Sequence, residues 1–328
     1  MTVRVAVAGA GAIGEIVARD IYPDLTTVAL TAVVDPDLDR AARVAKHNGA
    51  RAAAALVDVL DEIDAVDVRV PHHVHAEVAL TAIEHGKHVL VEKPIATTVE
   101  DARRIVDAAR AAGVVLAVAE NYPHLRAVQD ARSLLAENAI GRPLAVRSTR
   151  AYQLDGVWRR DWREGTGPAG GILLDQGTHQ VSLIRQLAGP VVAVSAVGSH
   201  ETLALTLQLE SGITAQSLLT WQSPGTWDQT EATVFGETGR LDVVVDYEQH
   251  LGGCALWTPD RNEQRGAENY YASHASIVND WATAIQEHRD PLVHGDEGLA
   301  DLAAVLAAAN SLEENGAFVE VSPSRRSA

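Results

Sequence analysis

With 328 residues, 47% of them hydrophobic and 22% charged, the chain is long enough to bury two separate cores and too apolar to be disordered. Its net charge of -17 sets it against nucleic acid and anionic membrane surfaces, and no apolar run reaches the length of a membrane-spanning helix. Cys254 is the single cysteine, which excludes an internal disulfide, and the first strand starts at Val3 with no room for a signal peptide, so a reducing, cytoplasmic location is expected.

Val3 to Ala8 is a β-rich run ending at Gly9-Ala10-Gly11-Ala12-Ile13-Gly14, and Glu15 to Asp20 continues with a helical pattern. Strand, glycine turn and helix in that order form a cradle for a pyrophosphate: two glycines allow a tight turn and close backbone approach, and the third lets helix pack on strand. Thr27 to Val34 reads as a second strand ending at Asp35, where an acid accepts hydrogen bonds from an adenosine ribose and repels a 2′-phosphate. NAD(H) is therefore favoured, while the nearby Arg40 leaves NADP(H) open.

Strands and helices go on alternating: a helix over Asp37 to Asn48 closed by Gly49, a strand over Ala65 to Val70, and a helix running to His85 and closed by Gly86. Between these last two lies Pro71-His72-His73-Val74-His75. The histidines invite a metal, but no cysteine or nearby carboxylate pair completes a ligand set, and none is assigned. Pro71 and His72 are instead expected at a third strand end beside the cofactor, with His75 opening the helix.

His88 to Val91 reads as a buried strand that runs into Glu92-Lys93-Pro94. Ligands of open α/β sheets bind beyond the carboxyl ends of strands, and a proline there fixes the backbone that aims Lys93. Lysines are scarce, at Lys46, Lys87 and Lys93 alone, so a lysine at this place is a candidate for chemistry that arginine cannot imitate. A helix over Thr98 to Ala112 and a strand over Val114 to Ala119 complete a first domain at residues 1–121, and Glu120-Asn121-Tyr122-Pro123 marks its end.

Residues 122–328 follow a different pattern. Pro123 suits the first turn of a helix to about Asn138. Leu203, Leu205, Leu207 and Leu209 alternate with polar residues, a period of two, and Ser211-Gly212 turns the chain into Ile213 to Trp221. Strand-like runs also occur at Pro143 to Tyr152, Pro190 to Val197, Thr230 to Phe235, Leu241 to Tyr247 and His250 to Trp257, which predicts a large, mostly antiparallel sheet. Pro259 to Ala267 reads as a polar loop. Helices are expected over Tyr270 to His288 and Leu299 to Glu314, with a short strand at Ala317 to Val321 and a frayed tail from Ser322.

One helix of this domain, Ile172 to Leu187, follows Gly170-Gly171 and carries Asp175 and His179 four residues apart on one face. Alone the pair is an ordinary helical contact. Preceded by glycines it can project a carboxylate and an imidazole toward a ligand, and an imidazole held by an acid exchanges protons near neutral pH. The segment Trp158-Arg159-Arg160-Asp161-Trp162-Arg163 is either a solvated loop with two core tryptophans or a set of aromatic planes and cations suited to a hydroxylated substrate.

Taken together, the glycine turn with Asp35, the Pro71 to His75 run, Glu92-Lys93-Pro94 and Gly170-Gly171-x-x-x-Asp175-x-x-x-His179 resemble the glucose-fructose oxidoreductase, inositol dehydrogenase and rhizopine-catabolism (Gfo/Idh/MocA) family over nearly the whole chain. The chain departs from that pattern at His72, where many relatives have asparagine, and at Ala169, where a third glycine is common. The resemblance implies an α/β fold, an N-terminal Rossmann dinucleotide-binding domain followed by a C-terminal α+β domain that binds substrate and builds a homodimer or homotetramer. It implies an NAD(P)-dependent oxidoreductase acting on a sugar, cyclitol or keto-sugar, with Lys93, Asp175 and His179 catalytic. Gly9, Gly11, Ala12, Ile13, Gly14, Asp35, Pro71, His72, His75, Glu92, Lys93 and Asn121 are expected on the cofactor. Trp158, Arg159, Trp162 and Arg163 join the catalytic three on the substrate. Two other readings stay open: a glycosidase that recycles its NAD internally, and a dinucleotide sensor without chemistry.

Overall fold

The computed structural model describes residues 2–154, 156, 159, 164–165, 171–224, 230–246, 251–269 and 271–321. The chain divides into two compact units, the first comprising residues up to Glu120 together with His274–Leu299, the second Asn121–Ser273 with the stretch from Ala300 onward. Among the described residues, no helix is long and apolar enough to cross a membrane.

The first unit is built on a parallel sheet of β1 (Val3–Ala8), β2 (Val28–Val34), β3 (Arg51–Ala53), β4 (Ala65–Val68), β5 (His88–Glu92) and β6 (Leu116–Ala119), in the order β3-β2-β1-β4-β5-β6. Strands covered on both faces must be apolar throughout, which is why these segments read as short continuous Val/Ala/Leu runs. The order reverses between β1 and β4, and the crevice at such a switch point is where α/β sheets bind ligands. β3 went unread in the sequence because three residues are too few to give a periodic signal.

The helix over Leu38–Ala45 is capped by Asp37, which accepts from Arg40 N, and that over Val99–Ala112 by Thr98, which accepts from Asp101 N. The unit is not continuous in sequence. Ile277, Val278, Trp281, Ala282 and Ile285, from the helix over Ala272–Glu287, share a core with Val5, Val7, Tyr22 and Leu90, and Trp281 is wholly buried. A linear division at residue 121 assigns this helix to the other domain, since nothing in its amphipathic pattern says which core it fills.

In the second unit β7 (Pro143–Ala151), β8 (Val191–Gly198), β9 (Thr202–Leu209), β10 (Thr214–Thr220), β11 (Thr230–Gly236), β12 (Arg240–Asp246), β13 (Leu251–Trp257), β14 (Asn262–Asn269) and β15 (Val319–Glu320) form one sheet in the order β14-β13-β12-β11-β7-β10-β9-β8-β15. The β7 and β10 pair is parallel, and the others are antiparallel. The alternation read in β9 is real: Leu203, Leu205, Leu207 and Leu209 are buried. The helices Arg126–Ala136 and Thr178–Ala188 pack on that face.

Two local expectations change. Pro259 to Ala267 is not all loop, because Asn262–Asn269 pairs with β13 as the edge strand; an edge strand needs no apolar face, so its polar sequence hid it. Pro123 lies in a separate short turn, Tyr122–His124, and extended Leu125 divides that turn from the helix that starts at Arg126.

Candidate active site

The glycine turn fits a dinucleotide. Gly9 has φ of 104°, and a Cβ on it would fall 2.4 Å from Arg69 O; a Cβ on Gly14 would fall 1.9 Å from Gly9 O. Both positions are forced to glycine by the protein itself. Gly11 differs, since a Cβ there would meet nothing within 4 Å, and its bareness leaves backbone open to a phosphate. Ala12 and Ile13 begin the helix over Ala12–Ile16, whose first N–H groups have no intrahelical partner and suit an anion.

Asp35, buried at the end of β2, is bound into the turn: Oδ2 accepts from Ala10 N at 2.9 Å and Oδ1 from Asp37 N at 2.9 Å. Each oxygen keeps a lone pair for ribose hydroxyls. Arg40 stands 3.6 Å from Asp35 and 3.1 Å from Asp37, so its charge is already matched by two acids.

Glu92 closes β5 and is held from below, and Lys93 follows it. Lys93 is buried. The Arg69 guanidinium donates to Glu92 at 2.6 Å and to Asp67 at 2.6 Å, while Tyr22 donates its hydroxyl to Asp67 at 3.1 Å. Burial works against the arginine's charge, but Asp67 and Glu92 outweigh it and hold its pKa above the ordinary value. For Asp67 burial dominates and raises the carboxyl, with Arg69 opposing.

Pro71 and His72 follow β4 as expected, with His72 buried and its ring 5.6 Å from that of His75. His75 opens its helix as expected and is fully buried, with Nδ1 2.7 Å from Pro94 O and Nε2 2.9 Å from Val70 O, so both ring nitrogens face backbone carbonyls. The ring sits between the backbone after β4 and the backbone after Lys93, and as a neutral imidazole it donates to one of the two carbonyls. Burial, the largest influence, keeps its pKa below the usual value.

In the second unit Asp175 lies in a widened helical turn, Leu173–Gly177, that leads into the helix over Thr178–Ala188 bearing His179. Asp175 is buried, whereas His179 is partly exposed and faces the Tyr122 ring at 5.3 Å between centroids. Sequence reasoning missed what surrounds them. Gln176 donates to Asp175 Oδ2 at 3.0 Å and accepts from Arg150 Nε at 3.1 Å. Arg150 lies 3.7 Å from buried Glu231, which also accepts from Gln180 and from the Tyr122 hydroxyl. Asn121 is buried and donates to Ser273 at 3.4 Å. Arg159 is paired with Glu164 at 2.9 Å, and Trp158, Trp162, Arg163 and Gly170 lie outside the described residues.

The family profile described as "Oxidoreductase family, NAD-binding Rossmann fold" matches residues 3–120, and the GFO/IDH/MocA C-terminal domain matches residues 128–242. Inositol 2-dehydrogenase 3 of Saccharopolyspora erythraea is 42% identical over 312 residues, covering 91% of this chain and 87% of that protein. The 1,5-anhydro-D-fructose reductase of Ensifer adhaerens is 29% identical over 85% of this chain and 87% of its own. In fold, the chain is similar to levoglucosan dehydrogenase solved with NADH and levoglucosan, with a TM-score of 0.86 at 23% identity, covering 98% of this chain and 100% of that one.

Proposed function

The chain belongs to the GFO/IDH/MocA family of NAD-binding oxidoreductases, and from that premise we propose that it moves a hydride between the nicotinamide and a secondary alcohol or ketone of a sugar, cyclitol or sugar derivative, with Lys93, Asp175 and His179 acting at the reacting oxygen. The observation that carries this reading is the setting of buried Lys93, just past the end of β5 between Arg69-bound Glu92 and a proline whose carbonyl lies 2.7 Å from His75 Nδ1.

Bound NAD supplies the hydride acceptor, and NADH the donor in the reverse direction. The residues supply the rest. As a secondary alcohol loses its hydroxyl proton, negative charge gathers on oxygen; His179 takes the proton and the Lys93 ammonium stabilises the charge. Asp175 orients the imidazole or a neighbouring substrate hydroxyl. Exposed Leu144, Leu218 and Phe235 on the nine-stranded sheet support self-association as a homodimer or homotetramer through that sheet.

The test is to incubate the protein with NAD and a panel of inositols, levoglucosan and aldoses, and with NADH and 1,5-anhydro-D-fructose, following nicotinamide absorbance and product mass. Steady NADH formation with one polyol is expected. Lys93→Met should lower turnover by about 1000-fold while NADH affinity stays within a few-fold. Turnover surviving Lys93→Met sinks the assignment, and product without net NADH gives first place to internally recycled cofactor.

A further inference from the structure

Arginine carries only donors, so the partner it meets must present an acceptor. Arg150 Nε lies 3.1 Å from Gln176 Oε1, which turns the amide so that its NH2 faces Asp175 Oδ2 at 3.0 Å. Oδ2 thereby accepts an N–H whose direction Arg150 sets.

Arg150 is itself fixed on two further sides. Its guanidinium carbon stands 4.9 Å from the centre of the Tyr152 ring, and buried Glu231 balances its charge at 3.7 Å. Glu231 in turn receives the hydroxyl of Tyr122, whose ring packs on His179. One guanidinium and one carboxylate thus organise both members of the Asp175 and His179 pair, Arg150 through an amide and Glu231 through a phenol.

We propose that Arg150 is the positioning residue of Asp175, dictating which end of the Gln176 amide faces the carboxylate and so giving Asp175 Oδ2 a fixed N–H donor that holds the carboxylate in its working orientation. The proposal rests on the reading of Asp175 as an active-site residue, and its decisive variant is Gln176→Glu. Glutamate has nearly the shape of glutamine and is the better partner for Arg150, so a purely structural role predicts a folded, active variant. The positioning role predicts the opposite for activity, because an acceptor now points at Asp175 Oδ2.

Using the full chain and the best substrate of the panel, Gln176→Glu should keep its thermal midpoint and its KM for NAD while turnover falls by about 100-fold. Arg150→Met, which frees the amide to flip, should lose turnover similarly, and Arg150→Lys, which retains a donor, should recover part of it. A second readout needs no substrate: the side-chain amide protons of Gln176, identified in nitrogen-15 spectra by their loss in Gln176→Glu, should exchange with solvent at least about tenfold faster in Arg150→Met. Turnover of Gln176→Glu within threefold of the parent, or amide exchange unmoved by Arg150→Met, overturns the proposal. Asp175→Asn separates the two levels: if it stays active the functional reading itself fails, whereas an inactive Asp175→Asn beside an active Gln176→Glu removes the positioning role alone.

Discussion

Arg69 reaches from the strand after Asp67 to Glu92 on the neighbouring strand, donating at 2.6 Å beneath the residue pair that ends in Lys93. Both it and Asp67 are buried, so the pair holds charge where water cannot help.

Breaking one side of a buried ion pair leaves the other uncompensated. Arg69→Met should lower the unfolding free energy by about 3–5 kcal/mol in urea titration. Adding Asp67→Val and Glu92→Gln removes the stranded charges and should restore much of that loss, though not activity. A single variant within about 1 kcal/mol of the parent would show that the charges are better solvated than their burial implies.

The glycines of the turn should separate into two kinds. Gly14→Ala drives a methyl onto Gly9 O and should destabilise the protein by about 1–3 kcal/mol or more. Gly11→Ala meets nothing, so its thermal midpoint should match the parent while its NADH affinity, followed by nicotinamide fluorescence, drops by about tenfold. If Gly11→Ala binds NADH as tightly as the parent, the phosphate does not approach that backbone.

His88 makes stability depend on pH in a definite direction. Val115 donates its N–H to His88 Nδ1 at 2.9 Å, which requires a lone pair there, and burial, partly offset by Asp64, holds the imidazole below its ordinary pKa. The unfolded chain therefore takes up the proton first. This contribution is level above the unfolded value of about 6.5 and is lost as pH falls below it toward the folded value. Denaturation midpoints at about pH 7.5 and 5.5 should diverge more for the parent than for His88→Asn, whose side-chain oxygen can still accept from Val115. Equal slopes would assign the acid sensitivity elsewhere.

The parallel sheet and the glycine turn were readable because apolar runs and forced glycines leave marks on neighbouring residues. Asp67 and Arg69 were visible as charges in an apolar strand, yet their meaning depends on register: only the pairing of Val68 with Val91 brings Arg69 to Glu92. Arg150 and Gln176 gave no signal, since two polar residues 26 positions apart meet only once β7 and the helix have packed. His75 was placed correctly at its helix start, but the two carbonyls its ring faces gave no signal, because a sequence does not say which carbonyls face a ring.

Trp281 lies in the core of the first unit although it stands 281 residues into the chain. A domain synthesised from its N-terminus usually folds as it emerges. Here β1 to β6 are made long before the helix that seals them, so the nascent nucleotide-binding sheet must wait with an apolar face uncovered. For the same reason a fragment cut after residue 121 is not a transferable cassette: it carries every glycine of the turn and lacks the tryptophan that completes its core.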